Sequence, residues 1–276
     1  MKKLFGVLGN PIEHSMSPLI HNDAFDKYSV DGVYLPFYVE DNELQQAVEG
    51  MKALGAGGFN VTVPFKSRII PYIDVLDEFA NEVGAVNTVV IKDGLLYGYN
   101  TDGPGFIKGL LTITDRIDGQ NVLIIGAGGA ARGIYFALAK TGVAKIDLAN
   151  RTHISAEQLL ADYHGNINSR AISLKEAESS LGQYDIIIQT TSVGLADVHA
   201  SPLSLTELNQ NAVVCDIIYN PLETKILKEA KDRGNKVQNG VDMFVNQGAL
   251  AFELWTGVMP DTERMKQLVL QQLGGS

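Results

Sequence analysis

At 276 residues, with 45% apolar and 20% charged residues, the chain exceeds the usual size of one domain and has an ordinary globular composition, so two domains are expected. Its formal net charge of -10 excludes nonspecific attraction to nucleic acid or to an anionic membrane, and an anionic ligand would have to be held by specific groups. The single cysteine, Cys215, excludes an internal disulfide and fits a reducing compartment.

The first residues imitate a signal peptide, but their apolar run ends at Asn10-Pro11, too short for one. No apolar run reaches the roughly 18 to 20 residues of a membrane span, and a cytoplasmic protein is expected. Strand-length apolar runs then alternate with segments of helical period, which predicts βα units and parallel sheets. Strands are predicted over residues 4–9, 33–39 and 58–63, and helices over 17–28 and 41–54. Strands over 86–91 and 95–99 flank Asp93-Gly94, a hairpin turn, and give this sheet an antiparallel edge.

From Thr101 a helical stretch leads to Gly119, and a new βα series opens at Asn121. Further strands are predicted over 145–149, 185–189, 212–216 and 236–238. The tail over 241–273 is helical and cannot bury a core of its own, so it is assigned back to the first domain. The fold class is α/β with two open domains. Residues 1–102 plus 241–276 form a mostly parallel sheet domain for substrate, and 103–240 a Rossmann-type doubly wound parallel sheet for nucleotide.

The segment from Gly126 through Ala127, Gly128, Gly129 and Ala130 to Ala131 matches the G-x-G-x-x-A dinucleotide fingerprint, directly after a strand and opening a helix. Gly126 permits the sharp turn, Gly128 lets a diphosphate approach the backbone, and the helix N-terminus offers unpaired N–H groups. The next strand ends at Asn150-Arg151-Thr152, where an NAD protein usually carries an acid for the ribose hydroxyls. An arginine there suits the extra phosphate of NADP; the alternative is a solvated residue at a helix start. Asp147 lies within the strand and is not the ribose acid.

Ligands in open α/β sheets gather at the carboxyl ends of strands. In the first domain these ends carry Ser15 and Ser17, Thr62 and Lys66 in "NVTVPFK", Asn87, and Asp102. Ser17 reads as an N-cap with Pro18 at the first helical position, or as a ligand for a carboxylate at that helix start. Asp102 reads as an N-cap or as a carboxylate facing Lys66. Thr62 and Asn60 share one strand face and can line one wall. His14, His21, His153, His164 and His199 form no metal-binding pattern, and no metal site is expected.

"GNPIEHSMSP", "NVTVPFK", "GAVNT", "NTDG", "GAGGAA", "NRT" and "NGVDMFVNQ" follow one another in the order and at about the spacing found in shikimate dehydrogenases, so essentially the whole chain resembles that family. The resemblance implies NADPH-dependent reduction of 3-dehydroshikimate to shikimate, on the way to chorismate and the aromatic amino acids. It implies Lys66 and Asp102 as catalytic residues. Ser15 and Ser17 would hold the substrate carboxylate, and Thr62, Asn87, Tyr219 and Gln247 its ring and hydroxyls. NADP would lie over residues 126–130 and over Asn150, Arg151 and Thr152, with Ile217, Gly240 and Glu78 near the nicotinamide. Members often carry a second arginine shortly after "NRT"; here His153-Ile154-Ser155 follows, which weakens the expected clamp on the extra phosphate. Two rivals remain: a quinate/shikimate dehydrogenase accepting NAD, and a nonenzymatic sensor of nucleotide or metabolite. A monomer and a homodimer fit the composition equally.

Overall fold

The first apolar run forms a strand buried along most of its length, β1 (Lys3–Gly9), at the heart of a six-stranded sheet. In this computed structural model, which describes residues 2–274, it is followed by α1 (Ser17–Lys27), β2 (Gly32–Tyr38), α2 (Leu44–Ala53) and β3 (Gly58–Val61). Then come β4 (Val75–Leu76), α3 (Glu78–Val83), β5 (Thr88–Lys92) and β6 (Leu95–Tyr99). The sheet order is β2-β1-β3-β5-β6-β4. β1 pairs in parallel with β2 and β3, whereas β5 runs antiparallel to both β3 and β6 across the Asp93-Gly94 turn. This register sets Asn60 opposite Thr88, and Thr88 opposite Tyr99.

Phe59, Phe65, Ile69, Val86 and Val89 are buried in the core beneath this sheet. Each fully buried large apolar side chain stabilises the fold by roughly 1.5–3 kcal/mol. Two elements here escape the hydrophobic pattern. β4 has only two residues and exists by pairing with β6. The short α3 is fixed by its ends: Asp77 accepts from the N–H groups of Phe79 (3.0 Å) and Ala80 (3.4 Å), and Gly84 closes it at φ 65°.

After α4 (Asp102–Leu110) the second sheet is built from β7 (Asn121–Ile125), α5 (Gly129–Leu138), β8 (Lys145–Ala149), α6 (His153–Ala161), β9 (Ser169–Ile172) and α7 (Leu174–Ser179). It is completed by β10 (Ile186–Gln189), β11 (Val213–Asp216), α8 (Lys225–Asp232) and β12 (Lys236–Gln238). Every pairing is parallel and the order is β12-β11-β10-β7-β8-β9. This is the doubly wound Rossmann order, whose direction reverses between β7 and β10, the place where such sheets take nucleotides. Leu123, Ile125, Ile187, Val214 and Leu227 form its dry interior. β9 is a short polar edge strand held by β8 alone, a pattern that sequence periodicity does not reveal.

The chain closes with α9 (Val241–Thr256) and α10 (Thr262–Gln272). It divides into one compact unit of residues 1–102 with 245–272 and another of 103–244, so both crossings fall at or within helices. The first turn of α9 stays with the second unit. There Gln238 donates to Asp242 (3.3 Å), and the Phe244 ring lies 4.9 Å from that of Tyr219.

Candidate active site

Lys66 stands on the turn after β3, between two anchors. Phe65 beside it is fully buried, and the Lys66 carbonyl accepts the N–H of Val86 at 2.7 Å. With its backbone fixed, Lys66 sends its Nζ to Asp102 Oδ2 at 2.6 Å, and the two side chains retain only 19% and 6% of their exposure. Asp102 is the first residue of α4, yet its carboxylate is not used as a cap. Asn100 takes that task, accepting the Asp102 N–H at 3.1 Å while donating to the Ala85 carbonyl at 3.0 Å.

The second carboxylate oxygen of Asp102 accepts from Asn87 Nδ2 at 2.8 Å. That same amide reaches Thr101 Oγ1 at 2.9 Å, and its oxygen accepts the Thr101 N–H at 2.8 Å. Asp102 is thus oriented by an amide on one side and an ammonium on the other. One ammonium proton is committed to Asp102, and the remaining two can meet a ligand oxygen. Such a group stabilises negative charge developing on that oxygen, and the neighbouring carboxylate can accept from a hydroxyl.

Ser17 is not the N-cap that its sequence context suggests. Met16 holds that position without a side-chain bond, and Ser17 is the first helical residue, buried, with Pro18 inside the first turn where its missing N–H costs nothing. Its hydroxyl is therefore free of capping duty. The Ser17 N–H donates to Ser15 Oγ at 3.3 Å, so the two serines form one small turn. Thr62 follows β3 directly and is half-buried, whereas Asn60 on the same strand face is drawn into a buried hydrogen-bond network. Gln247 sits half-buried on the part of α9 that belongs to this unit. Glu78 is also in this unit, exposed in the first turn of α3, where a carboxylate suits the helix dipole.

The remaining residues lie in the second unit. Gly126 turns the chain at φ 120°, with its N–H bonded to the Ala149 carbonyl at 2.8 Å; a β-carbon there would collide with Thr190 Oγ1. Gly128 is the N-cap of α5. Among the described residues, no side chain caps the helix and no acid stands in its first turn. A β-carbon on Gly128 or Gly129 would meet nothing within 4 Å, so the space in front of the helix is open, as a diphosphate requires. Ala127 and Ala130 flank these glycines, half-buried.

Beyond β8, Asn150 donates to the Thr152 carbonyl at 2.9 Å and closes a turn that leaves Arg151 exposed. No carboxylate occupies the strand end to repel a 2′-phosphate. His153 in the next turn lies 3.5 Å from Glu157. Asp147 is bound inside the strand by Lys145 (2.6 Å), Tyr184 (2.7 Å) and Arg170 (3.1 Å). Burial pushes its carboxyl up, but these bonds together outweigh that and hold it below the ordinary range.

Ile217 and Gly240 do come together. The Gly240 N–H donates to the Ile218 carbonyl at 2.9 Å, and any β-carbon at 240 would strike the Ile217 carbonyl. Asp216 just before them is buried, which pushes its carboxyl up to about 6 despite bonds from the Ile218 N–H (2.9 Å) and Thr224 Oγ1 (2.7 Å). Tyr219 packs on Phe244 in the same unit. Among the described residues, no group of three or more His, Cys, Asp or Glu is arranged to hold a metal ion.

Sequence reasoning passed over Tyr34, Thr88, Asn100 and Thr101. The available signal was Asn60 itself, a polar residue in an otherwise apolar buried strand, which requires partners.

Three family models match the chain. The shikimate dehydrogenase substrate binding domain covers residues 7–89, the shikimate/quinate 5-dehydrogenase domain 110–226, and the shikimate 5′-dehydrogenase C-terminal domain 240–270. The shikimate dehydrogenase (NADP(+)) of Bacillus mycoides is 54% identical over 277 residues, covering 100% of both chains. Among solved structures, a shikimate dehydrogenase in complex with NADP+ superposes with a TM-score of 0.93 at 40% identity, covering 99% of this chain and 96% of that one. The shikimate 5-dehydrogenase of Listeria monocytogenes, in complex with shikimate and NAD, does so with a TM-score of 0.92 at 35% identity over 97% and 96%. On this agreement of sequence and topology, the chain belongs to the shikimate dehydrogenase family.

Proposed function

We propose that this protein catalyses the reversible reduction of 3-dehydroshikimate to shikimate with NADPH, a step toward chorismate and the aromatic amino acids. The observation that carries this reading is the Lys66–Asp102 pair at 2.6 Å, shielded from water and oriented by Asn87 in the domain whose relatives bind the substrate. NADPH supplies the hydride when bound. As charge builds on the former carbonyl oxygen, the Lys66 ammonium stabilises it and gives up a proton to it. Asp102 keeps Lys66 aimed and accepts from a substrate hydroxyl. In the direction of shikimate oxidation, the neutral amine takes the hydroxyl proton back.

Ser15 and Ser17 hold the substrate carboxylate, and Thr62, Asn87, Gln247 and Tyr219 fix the ring and its hydroxyls. The turn of residues 126–130 holds the diphosphate, and Asn150, Arg151 and Thr152 the adenosine side with its 2′-phosphate. Ile217 and Gly240 present their close-packed backbone to the nicotinamide, and Glu78 stands near it. A monomer or homodimer suffices, since every residue named lies in one chain.

The test is to add shikimate and NADP+ to the purified protein and follow the reduced nicotinamide. Turnover with this pair, faster than with NAD+ or with quinate, is expected. Preference for quinate with NAD+ would transfer the assignment to the quinate enzyme, and no turnover with either acid would overturn it.

A further inference from the structure

Tyr34 is 0% exposed and bound at every polar atom, although it lies on β2, the edge strand of the first sheet. An edge strand leaves backbone groups without a neighbouring strand. Asn22 on α1 takes that neighbour's place, accepting the Tyr34 N–H at 2.8 Å and donating to the Tyr34 carbonyl at 2.9 Å. The ring is stacked on His21 with centroids 4.5 Å apart and planes 18° from parallel, and Trp255 lies 6.0 Å away. Nothing in this setting lets the phenol wander.

The direction of its proton follows from its neighbours. Asn60 Nδ2 donates to the Asn87 carbonyl (3.1 Å) and to Thr88 Oγ1 (3.0 Å); a carbonyl only accepts, so the amide nitrogen must face it. Asn60 Oδ1 is thereby turned toward Tyr34, whose hydroxyl donates to it at 2.7 Å. Burial raises the phenol well above its ordinary range, so it remains a donor. The bonded chain therefore runs from Tyr34 through Asn60, Thr88 and Asn87 to Asp102 and Lys66.

We infer that Tyr34 is a positioning residue for this reaction: its phenol locks the Asn60 amide that orients Asn87 and, through it, Asp102. The inference rests on the reading under Proposed function. It adds that the proton-transferring pair is set by a network that reaches back to a phenol on the edge strand.

The test is Tyr34→Phe, which keeps the ring and its stack and removes only the hydroxyl. We expect kcat to fall about tenfold, the scale of one hydrogen bond lost from a charged site, with a smaller rise in KM for shikimate. The KM for NADP+ should stay within about twofold, because the nucleotide turn is built elsewhere. Combined with Asn60→Ser, the effects on kcat should fall short of additive, since both changes break the same contact. A lower melting temperature with kcat and KM unchanged would make Tyr34 merely structural and overturn the inference, as would full additivity. Should Tyr34→Phe fail to fold, Asn60→Ser withdraws the acceptor from the other side and must give the same fall in kcat. A wild-type enzyme that does not turn over shikimate sinks the underlying reading. An active wild type beside an unaltered Tyr34→Phe sinks the positioning role alone.

Discussion

The buried polar side chains of the two units differ in what they bind. In the first unit Asn60, Asn87, Thr88, Thr101 and Asp102 bind chiefly one another and converge on Lys66. In the second, apart from Asp147 and the Asp216–Thr224 pair, they bind chiefly main chain. Gln189 holds the Thr191 and Val193 carbonyls, Thr190 the Ile125 carbonyl, Asn235 the Asn209 and Ala212 carbonyls, and Gln238 the Gly109 carbonyl. A network of side chains fixes the orientation of individual functional groups, which proton transfer demands. Side chains that hold loops instead shape a backbone surface, which is what a diphosphate reads. The first arrangement serves chemistry, and the second serves binding.

The strongest way to break this contrast is at Lys66. Lys66→Ala removes the group on which the first unit's network converges, and kcat should fall by roughly 10² to 10⁴ with a smaller change in KM, the range for losing a positioned acid. Steady-state kinetics with shikimate and NADP+ decide it; an unchanged kcat removes Lys66 from the reaction. The matching change in the second unit is Gly126→Ala. At φ 120° and against Thr190 Oγ1, the added methyl forces the turn open, and a strained residue of this kind costs about 1–3 kcal/mol. NADP(H) affinity, measured by fluorescence titration, should weaken about tenfold or more while the Lys66 end is untouched. Retained affinity would mean that the turn does not carry the nucleotide.

A smaller change separates the two nicotinamide cofactors. Arg151 is exposed and its side chain reaches outward from the turn that Asn150 closes, so Arg151→Ala should leave the fold intact. KM for NADP+ should rise about tenfold, as for one charge-assisted contact to a phosphate, and KM for NAD+ should not change. Equal losses for both would withdraw the 2′-phosphate from Arg151.

The second unit was more legible in the sequence than the first for the same physical reason. A backbone site announces itself through glycines after an apolar strand, and β7, its turn and α5 lie where the residues over 121–138 place them. A side-chain network joins residues far apart in the chain: Tyr34 and Asn60 are 26 positions apart, and Asn87 and Asp102 are 15 apart. Tyr34 alone reads as ordinary strand core. Asp102 reads equally as a cap or as half of an ion pair, and what separates the two is Asn100, which takes the capping role from it. Ser17 was open to the same ambiguity, because proline is tolerated anywhere in the first helical turn.

The weakest expected effect tests whether each interior also sets its own pH response. Burial lowers His21 in the first unit to about 3, and neither ring nitrogen has a hydrogen-bond partner among the described residues. The unfolded chain binds the proton near 6.5 and the native one does not, so this stabilisation is complete above 6.5 and is lost as pH falls toward 3. Asp216 in the second unit has the opposite sign. Raised to about 6, it favours the fold below its ordinary 3.8, and that contribution is lost as pH rises through 6. Between pH 5 and 6 each slope amounts to about 1 kcal/mol, and the two nearly cancel. His21→Phe keeps the stack and should gain stability relative to wild type as pH falls from 6 to 5, whereas Asp216→Asn should gain as pH rises from 5 to 6. Denaturant unfolding of both variants across this interval reads the two signs directly. Parallel curves for a variant and the wild type would show that the buried group titrates alike in the folded and unfolded chain.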